Sequence, residues 1–183
     1  MKKFLIIIFS FSSCLENNIN YDFLNIDQNS FEKAKNLEMT FFSDGIKSFV
    51  LTTENMKSFI NYSSKKDYTQ FCISDSILND FNFTYILKDT LSSVTIFSDS
   101  VLIMNFNNLG DSIFEIQSDE LVNYVNEEIV ELTDNVKLKN YENFNLETNK
   151  LFWNTDQKKL LSYDSVKIKL EDKIINGCGF YSD

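Results

Sequence analysis

A repeat constrains the fold of this chain more than any other feature: residues 144–170 follow the same pattern of apolar and polar positions as residues 114–140. The aligned pairs are Phe114/Phe144, Ile116/Leu146, Ser118/Thr148, Leu121/Leu151, Val130/Leu160, Asp134/Asp164, Val136/Val166 and Leu138/Ile168. A single unit of this length cannot bury its own apolar side. Neighbouring units therefore have to stack and join their apolar sides into one continuous face.

Within each unit, apolar and polar residues alternate with a period of two. Phe114, Ile116 and Ser118 share one side of the chain, whereas Glu115 and Gln117 share the other. Residues 129–138 alternate in the same way, and this pattern is typical of half-buried antiparallel strands. We therefore predict an all-β fold, an open antiparallel β-jelly roll or two-sheet sandwich built from repeated short strands.

Shorter signals predict the remaining elements. Residues 93–99 and 174–180 have strand patterns, and the glycines in the second of these favour a bulge or a close backbone approach. Asp44-Gly45 between two apolar runs predicts a hairpin turn. We expect short helices at 29–37 and 54–60, and a loop at 63–68.

The composition argues against several classes of site. Because the chain has no histidine, Ser-His and Cys-His catalytic pairs and His-ligated metal sites are excluded. A net charge of −10 repels nucleic acid, and the four glycines form no phosphate-binding loop. Carboxylate pairs such as Asp119/Glu120 and Glu127/Glu128 fall on polar faces and in turns, and Cys178 lacks an evident base. We expect no enzymatic activity, no cofactor and no metal.

The N-terminus has the pattern of a secretory signal peptide. Residues 1–13 join two lysines, a short apolar run and small residues, and the run is far shorter than the roughly 20 apolar residues of a spanning helix. A buried N-terminal strand is the alternative. The ending "FSSC" resembles the lipobox of bacterial lipoproteins, which implies cleavage before Cys14 and lipid attached to it. We therefore predict a signal peptide at 1–13, a lipidated N-terminus and tether at 14–37, and one domain at 38–183.

Two further cysteines, Cys72 and Cys178, would remain in the exported chain. Outside the cytoplasm they can form a disulfide, or they can be buried as two separate thiols. Their spacing in the sequence does not decide between these alternatives.

Residues 90–183 resemble the LptC-type proteins of lipopolysaccharide export. An ordered series of steps carries the resemblance, and it consists of Thr148, Leu151 and Trp153, then Ser162, Asp164 and Val166, and finally Gly177, Gly179 and Phe180. The segment 131–140 is similar to the family's repeated Gly-Asn-Val segment, although Asp134 replaces the glycine. Residues 43–45 fit the family's early turn. Many relatives use a spanning helix, whereas a lipid anchor at Cys14 resembles the lipoprotein forms of Bacteroidetes-type bacteria.

The resemblance implies a lipid-transfer role without catalysis. It implies an open jelly roll whose apolar groove shields the acyl chains of lipopolysaccharide. The chains would pass from the inner-membrane ABC transporter to an LptA-like bridge protein. The anchored chain would face the periplasm from the inner membrane, with the outer membrane as the alternative location.

The predicted groove takes one apolar side of the repeat. Its residues are Phe114, Ile116, Leu121, Val130, Leu132, Val136, Leu138, Phe144, Leu146, Leu151, Trp153, Leu160, Val166 and Ile168. A closed, dry core made of the same residues is the alternative. The last strand is predicted as an edge that pairs with a partner, through Ile174, Gly177, Gly179 and Phe180, or as an ordinary final strand. Alternative functions are an LptA-like soluble bridge and a surface lipoprotein that binds proteins.

Overall fold

The computed structural model describes residues 32–62, 77, 81, 92–125, 128–141 and 143–182. These residues form eight strands: β1 (Glu32–Ser43), β2 (Ile46–Tyr62), β3 (Ser92–Phe106), β4 (Ser112–Tyr124), β5 (Ile129–Asn140), β6 (Phe144–Asn154), β7 (Lys159–Leu170) and β8 (Lys173–Ser182). All pairs are antiparallel, and the strands follow one another across a single sheet in chain order. Within the described part, β1 and β8 are its two edges. The predicted open, all-β antiparallel fold is confirmed.

A row of bulges crosses the sheet and divides its long strands. Each pair from β2–β3 to β7–β8 changes register close to the middle of its strands. In β3 and β5 the inserted residues adopt positive φ angles, at Asp99 and Ser100 and at Asp134 and Asn135. Asn and Asp tolerate this conformation better than most residues, and a bulge bends the strand that carries it. The repeated Ser-Asp and Thr-Asp steps in the sequence mark these bends.

The repeat in the sequence corresponds to a pair of bent strands. Residues 114–140 span β4 and β5, and residues 144–170 span β6 and β7. The segments on one side of the bulge row, which end at the β1–β2, β3–β4, β5–β6 and β7–β8 turns, are called arm A. They are residues 37–43, 46–52, 101–106, 112–118, 136–140, 144–148, 166–170 and 173–177. The strand segments on the other side of the row are called arm B.

The two arms fold towards each other across the bulge row. Phe114 pairs with Asn140 at the end of β5, close to the start of β6 at Phe144. Trp153 lies near the other end of β6. Along a straight strand, nine residues separate Phe144 from Trp153 by about 30 Å. Yet the ring centroids of Phe114 and Trp153 are only 6.4 Å apart. The single sheet therefore supplies both layers of the fold.

Two apolar clusters hold this arrangement together. The inner core lies between the arms, on what we call the inner face, and includes Ile116, Leu132, Leu146 and Leu151, all fully buried. The outer core covers the opposite face of arm B. Its members are Val94, Val122, Tyr124, Ile129, Phe152 and Leu161, with the fully buried Phe81 and the half-buried Ile77 packed onto them.

The two predicted helices are wrong wherever the structure describes their residues. Residues 54–60 belong to β2, where Asn55 to Phe59 pair with Ser98 to Val94 of β3. Met56 packs on the inner core and Phe59 on the outer core, so both faces of this segment are used by the sheet. Residues 32–37 belong to β1, which therefore begins inside the predicted tether. The signal peptide, Cys14 and the loop at 63–68 lie outside the described residues.

Candidate functional site

The fourteen predicted groove residues all lie on the inner face. Thirteen of them belong to or pack on the inner core, and Val166 is buried beside Thr148 and opposite Gly177 on the same face. The buried members are Ile116, Leu121, Val130, Leu132, Val136, Leu138, Leu146, Leu151 and Val166. The half-buried members are Phe114, Phe144, Trp153, Leu160 and Ile168. The set is one surface of the sheet, and its ability to bind lipid stays a prediction.

Strand register joins the arm A part of this surface into an unbroken row. The row takes one residue from each strand, in direct cross-strand register, and we call it the apolar ladder. Its members are Met39, Leu51, Ile103, Ile116, Leu138, Leu146, Ile168 and Ile175. With strands about 4.8 Å apart, seven intervals give a row of roughly 34 Å. The ladder thus runs from one edge of the sheet to the other.

Burial along the ladder is uneven. Its central members, such as Ile116 and Leu146, are fully buried. Met39 at the β1 edge is half-buried, and Ile175 at the β8 edge is exposed. The centre is therefore packed as a core, as the closed-core alternative expected, whereas the apolar surface continues to solvent at both ends.

Aromatic rings close the mouth opposite the bulge row. Trp153 of arm B meets the edge of Phe49 with ring centroids 6.3 Å apart, and it contacts Phe114 in the same way. Nearer the β8 edge, Phe144 of arm A contacts Phe180 of arm B at 6.2 Å. Access to the interior from this side therefore requires these rings to separate.

Buried hydroxyl groups fix the hinge between the arms. Thr53 Oγ1 donates a hydrogen bond to the carbonyl of Ser98 at 2.8 Å, and Thr148 Oγ1 donates one to the carbonyl of Ser165 at 2.9 Å. Ser118 Oγ donates to the carbonyl of Glu120 at 3.0 Å. Because buried backbone carbonyls need partners, these side chains satisfy groups that the bulges remove from the regular ladder.

A buried carboxylate lies on the outer face, close to the hinge. Glu131 is only 4% exposed, and its oxygens accept hydrogen bonds from Lys150 Nζ at 2.9 Å and from the Tyr124 hydroxyl at 2.8 Å. Burial, followed by the charges of Glu131 and Asp164, raises the pKa of Tyr163. This cluster is a paired ionic contact beneath the outer core, and sequence reasoning did not identify it.

Glu120 is the other perturbed acid of this region. Burial raises its pKa above the ordinary value, and the negative charges of Asp134 and Glu131 raise it further, while Lys150 acts in the opposite direction. Among the described residues, no three metal-ligating side chains come together.

The predicted partner strand lies at an edge of the sheet. Within the described part, β8 pairs with β7 alone. Gly179 has a φ angle of +83° where β8 crosses the bulge row, a conformation that glycine adopts freely. Ile174 is exposed, and Phe180 packs on the inner core. Cys178 is disulfide-bonded, and its partner cysteine lies outside the described residues.

Sequence reasoning missed the contribution of the first three strands to the site. Met39, Leu51 and Ile103 extend the apolar ladder to the β1 edge. The apolar run Phe49-Val50-Leu51, rich in strand-forming residues, was the available signal for β2. The contact between Phe49 and Trp153 has no local signal, because it depends on how the arms fold.

No helix in the described ranges has the length and apolar character needed to span a bilayer. No protein-family model matches the chain, and no curated protein matches it either.

Proposed function

We propose that this protein is a non-enzymatic, lipid-anchored component of the lipopolysaccharide transport bridge. In this proposal it faces the periplasm and shields acyl chains on its inner face. It receives them from the inner-membrane ABC transporter and passes them to an LptA-like bridge protein. The resemblance of residues 90–183 to LptC-type proteins supports the choice of lipopolysaccharide.

The observation that carries the proposal is the apolar ladder, which reaches both edges of an unclosed sheet. A soluble domain has no need to extend its core to an exposed edge residue such as Ile175. A carrier that exchanges acyl chains with its neighbours does need an apolar surface that continues beyond its own core.

The energy of shielding an acyl chain is large. Each buried methylene contributes about 0.8 kcal/mol, so twelve methylenes contribute roughly 10 kcal/mol. Apolar contacts are not directional, and a chain can slide along them without breaking hydrogen bonds. The disulfide at Cys178 adds support for an exported protein, since disulfides persist in oxidising compartments.

A photo-crosslinking amino acid at Trp153 tests the proposal. This position lies at the mouth between the arms, and the matched control is Lys137, whose exposed side chain lies on the outer face of arm A. We expect lipopolysaccharide adducts at position 153 and not at 137. Adducts with protein alone at position 153 would favour a protein-binding surface lipoprotein instead.

The anchor has a separate test. Intact mass measurement of the protein purified from membranes should show acyl groups on Cys14. An unmodified mature chain would favour an LptA-like soluble bridge.

A further inference from the structure

Exposed apolar side chains concentrate at the four hairpin turns that end arm A. Of eleven large hydrophobic residues exposed in the described part, nine lie in or next to these turns. Each hairpin contributes one that is mostly exposed: Phe42 at 66%, Leu109 at 87%, Tyr141 at 63% and Ile174 at 60%. The other two, Ile60 and Val125, lie at the arm B ends of β2 and β4. We call the four turns the arm A rim.

The sheet order gives the rim its shape. Because the strands follow one another in chain order, the turns after β1, β3, β5 and β7 all lie at one end. Successive turns are two strands apart, or about 10 Å, so the four tips form a row of roughly 30 Å. Side chains that project from separate tips along such a row suit a broad, deformable apolar surface better than a single pocket.

The rim carries little of the chain's negative charge. Residues 41–47, 107–113, 139–144 and 169–175 contain four lysines and five acidic residues, a net charge of −1. The whole chain has a net charge of −10, so most of the acidic excess lies elsewhere. Anionic headgroup phosphates are therefore repelled less by this end than by the more acidic remainder of the chain.

Asparagine side chains pair with backbone groups in two of the turns. In the second turn, Asn107 Oδ1 accepts hydrogen bonds from the backbone N–H groups of Leu109 and Asp111, both at 2.9 Å. In the third turn, Asn140 Oδ1 accepts one from the N–H of Phe144 at 3.0 Å. These bonds pair backbone N–H groups beside Leu109 and Tyr141. Moving the two side chains out of water therefore leaves those N–H groups hydrogen-bonded.

The proposed anchor leaves enough chain for this end to reach a membrane. β1 starts at Glu32 in arm B, and 17 residues separate it from Cys14. An extended chain covers about 3.3 Å per residue, so 17 residues reach up to roughly 56 Å. The 12 residues of β1 cover only about 40 Å. The same bilayer can therefore hold a lipid on Cys14 and contact the arm A rim.

We infer that the arm A rim docks on the surface of a lipid bilayer, with Phe42, Leu109, Tyr141 and Ile174 in the interface between headgroups and acyl chains. Phe114 and Phe144 of the inner face lie next to these turns, so docking brings the predicted groove close to the acyl chains of the bilayer. The inference rests on the proposed function for the anchor and for lipid entry. Contact between the rim and a bilayer can be measured without either.

Tryptophan quenching by brominated lipids tests the inference. The chain has one tryptophan, so Trp153→Phe provides a background without any. Phe42→Trp or Leu109→Trp then reports on the rim, and Asn149→Trp, at an exposed site in the bulge row, reports on the hinge far from the rim. The full chain is measured on phosphatidylcholine vesicles with brominated acyl chains, and circular dichroism checks that each variant folds.

We expect the rim tryptophans to lose about half of their emission and position 149 almost none, because interfacial side chains enter a bilayer by roughly 5–10 Å. Equal quenching at the rim and at position 149, or none at the rim, would overturn the inference. A dimer detected by light scattering without vesicles, in which the rim tryptophans are shielded from solvent, would also overturn the inference. A second copy of the chain would then cover the rim. Lipopolysaccharide adducts at position 153 with an unquenched rim would reject docking and leave the proposed function standing.

Discussion

Replacing Leu151 by alanine tests whether the inner face is packed at its centre. Leu151 is fully buried in β6, where it pairs with Leu132 of β5. It lies between strands that are hydrogen-bonded on both sides, so the backbone cannot move in to fill a cavity. The matched control is Lys137→Ala, an exposed change on the outer face of the same sheet.

The expected loss follows from burial. The substitution removes three carbon atoms, and at about 0.8 kcal/mol each the lost transfer energy is roughly 2.4 kcal/mol. An uncollapsed cavity raises the cost of a buried Leu→Ala change towards about 5 kcal/mol. Because the neighbouring strands are fixed, we expect a loss of about 4 kcal/mol. An exposed change such as Lys137→Ala should cost less than about 0.5 kcal/mol.

Urea denaturation followed by circular dichroism, with the disulfide kept oxidised, measures both values. An unchanged m value would show that the two variants unfold from equally compact states. A loss below about 1 kcal/mol for Leu151→Ala would refute the packed centre, because a residue lining an open trough leaves no cavity when it is shortened.

Three further substitutions test the hinge and the polar cluster by the same denaturation assay. Gly179→Ala should lose about 1–2 kcal/mol because of its positive φ, whereas Gly177→Ala should change little; equal effects would contradict the bulge assignment. Glu131→Ala should cost about 3 kcal/mol and the exposed Glu147→Ala less than about 1 kcal/mol, and similar losses would argue against a buried ion pair. Glu120→Gln should stabilise the protein at pH 7, since folding raises the pKa of this acid and its contribution to stability falls as pH rises through its ordinary range. That gain should vanish towards pH 4; a gain independent of pH would contradict the assignment.

The fold was largely predictable because its strands have strong local patterns. The alternation in 114–118 and 129–138 predicted β4 and β5, and Asp44-Gly45 predicted the turn between β1 and β2. The helix expected at 54–60 failed because Met56 and Phe59 serve the two faces of a paired strand, and strand pairing overrode local propensity.

The bulge row was visible in the sequence only as a recurring Ser-Asp or Thr-Asp step. Asp99 and Asp134 take positive φ angles where the strands bend, so each long strand counts as two shorter ones in the pattern. A period-two pattern does not reveal whether two apolar runs are separate strands or one bent strand. The arrangement of both layers within a single sheet follows from this bend.

The sequence was enough to predict which residues share the inner face, but not how they connect across the strands. Alternation places the residues within each arm on one face. Leu121 lies five residues from Ile116 and Leu151 five from Leu146, so their return to the same face depends on the bulges between them. The apolar ladder depends on the register between strands, and the closure at Trp153 depends on the fold of arm A over arm B. Neither has a local signal in the sequence.

The most direct test of the proposed carrier role uses a photo-crosslinker at Leu132, a fully buried position at the centre of the inner face. Thr133, the next residue, lies on the opposite face of β5 and provides the control. Because this position is packed between the arms, lipid reaches it only when the arms separate during transport. In cells that export lipopolysaccharide, we predict adducts with lipopolysaccharide at position 132 and none at position 133. If no adduct forms at 132 in a folded, membrane-bound protein under active export, acyl chains do not enter between the arms and the carrier role is wrong.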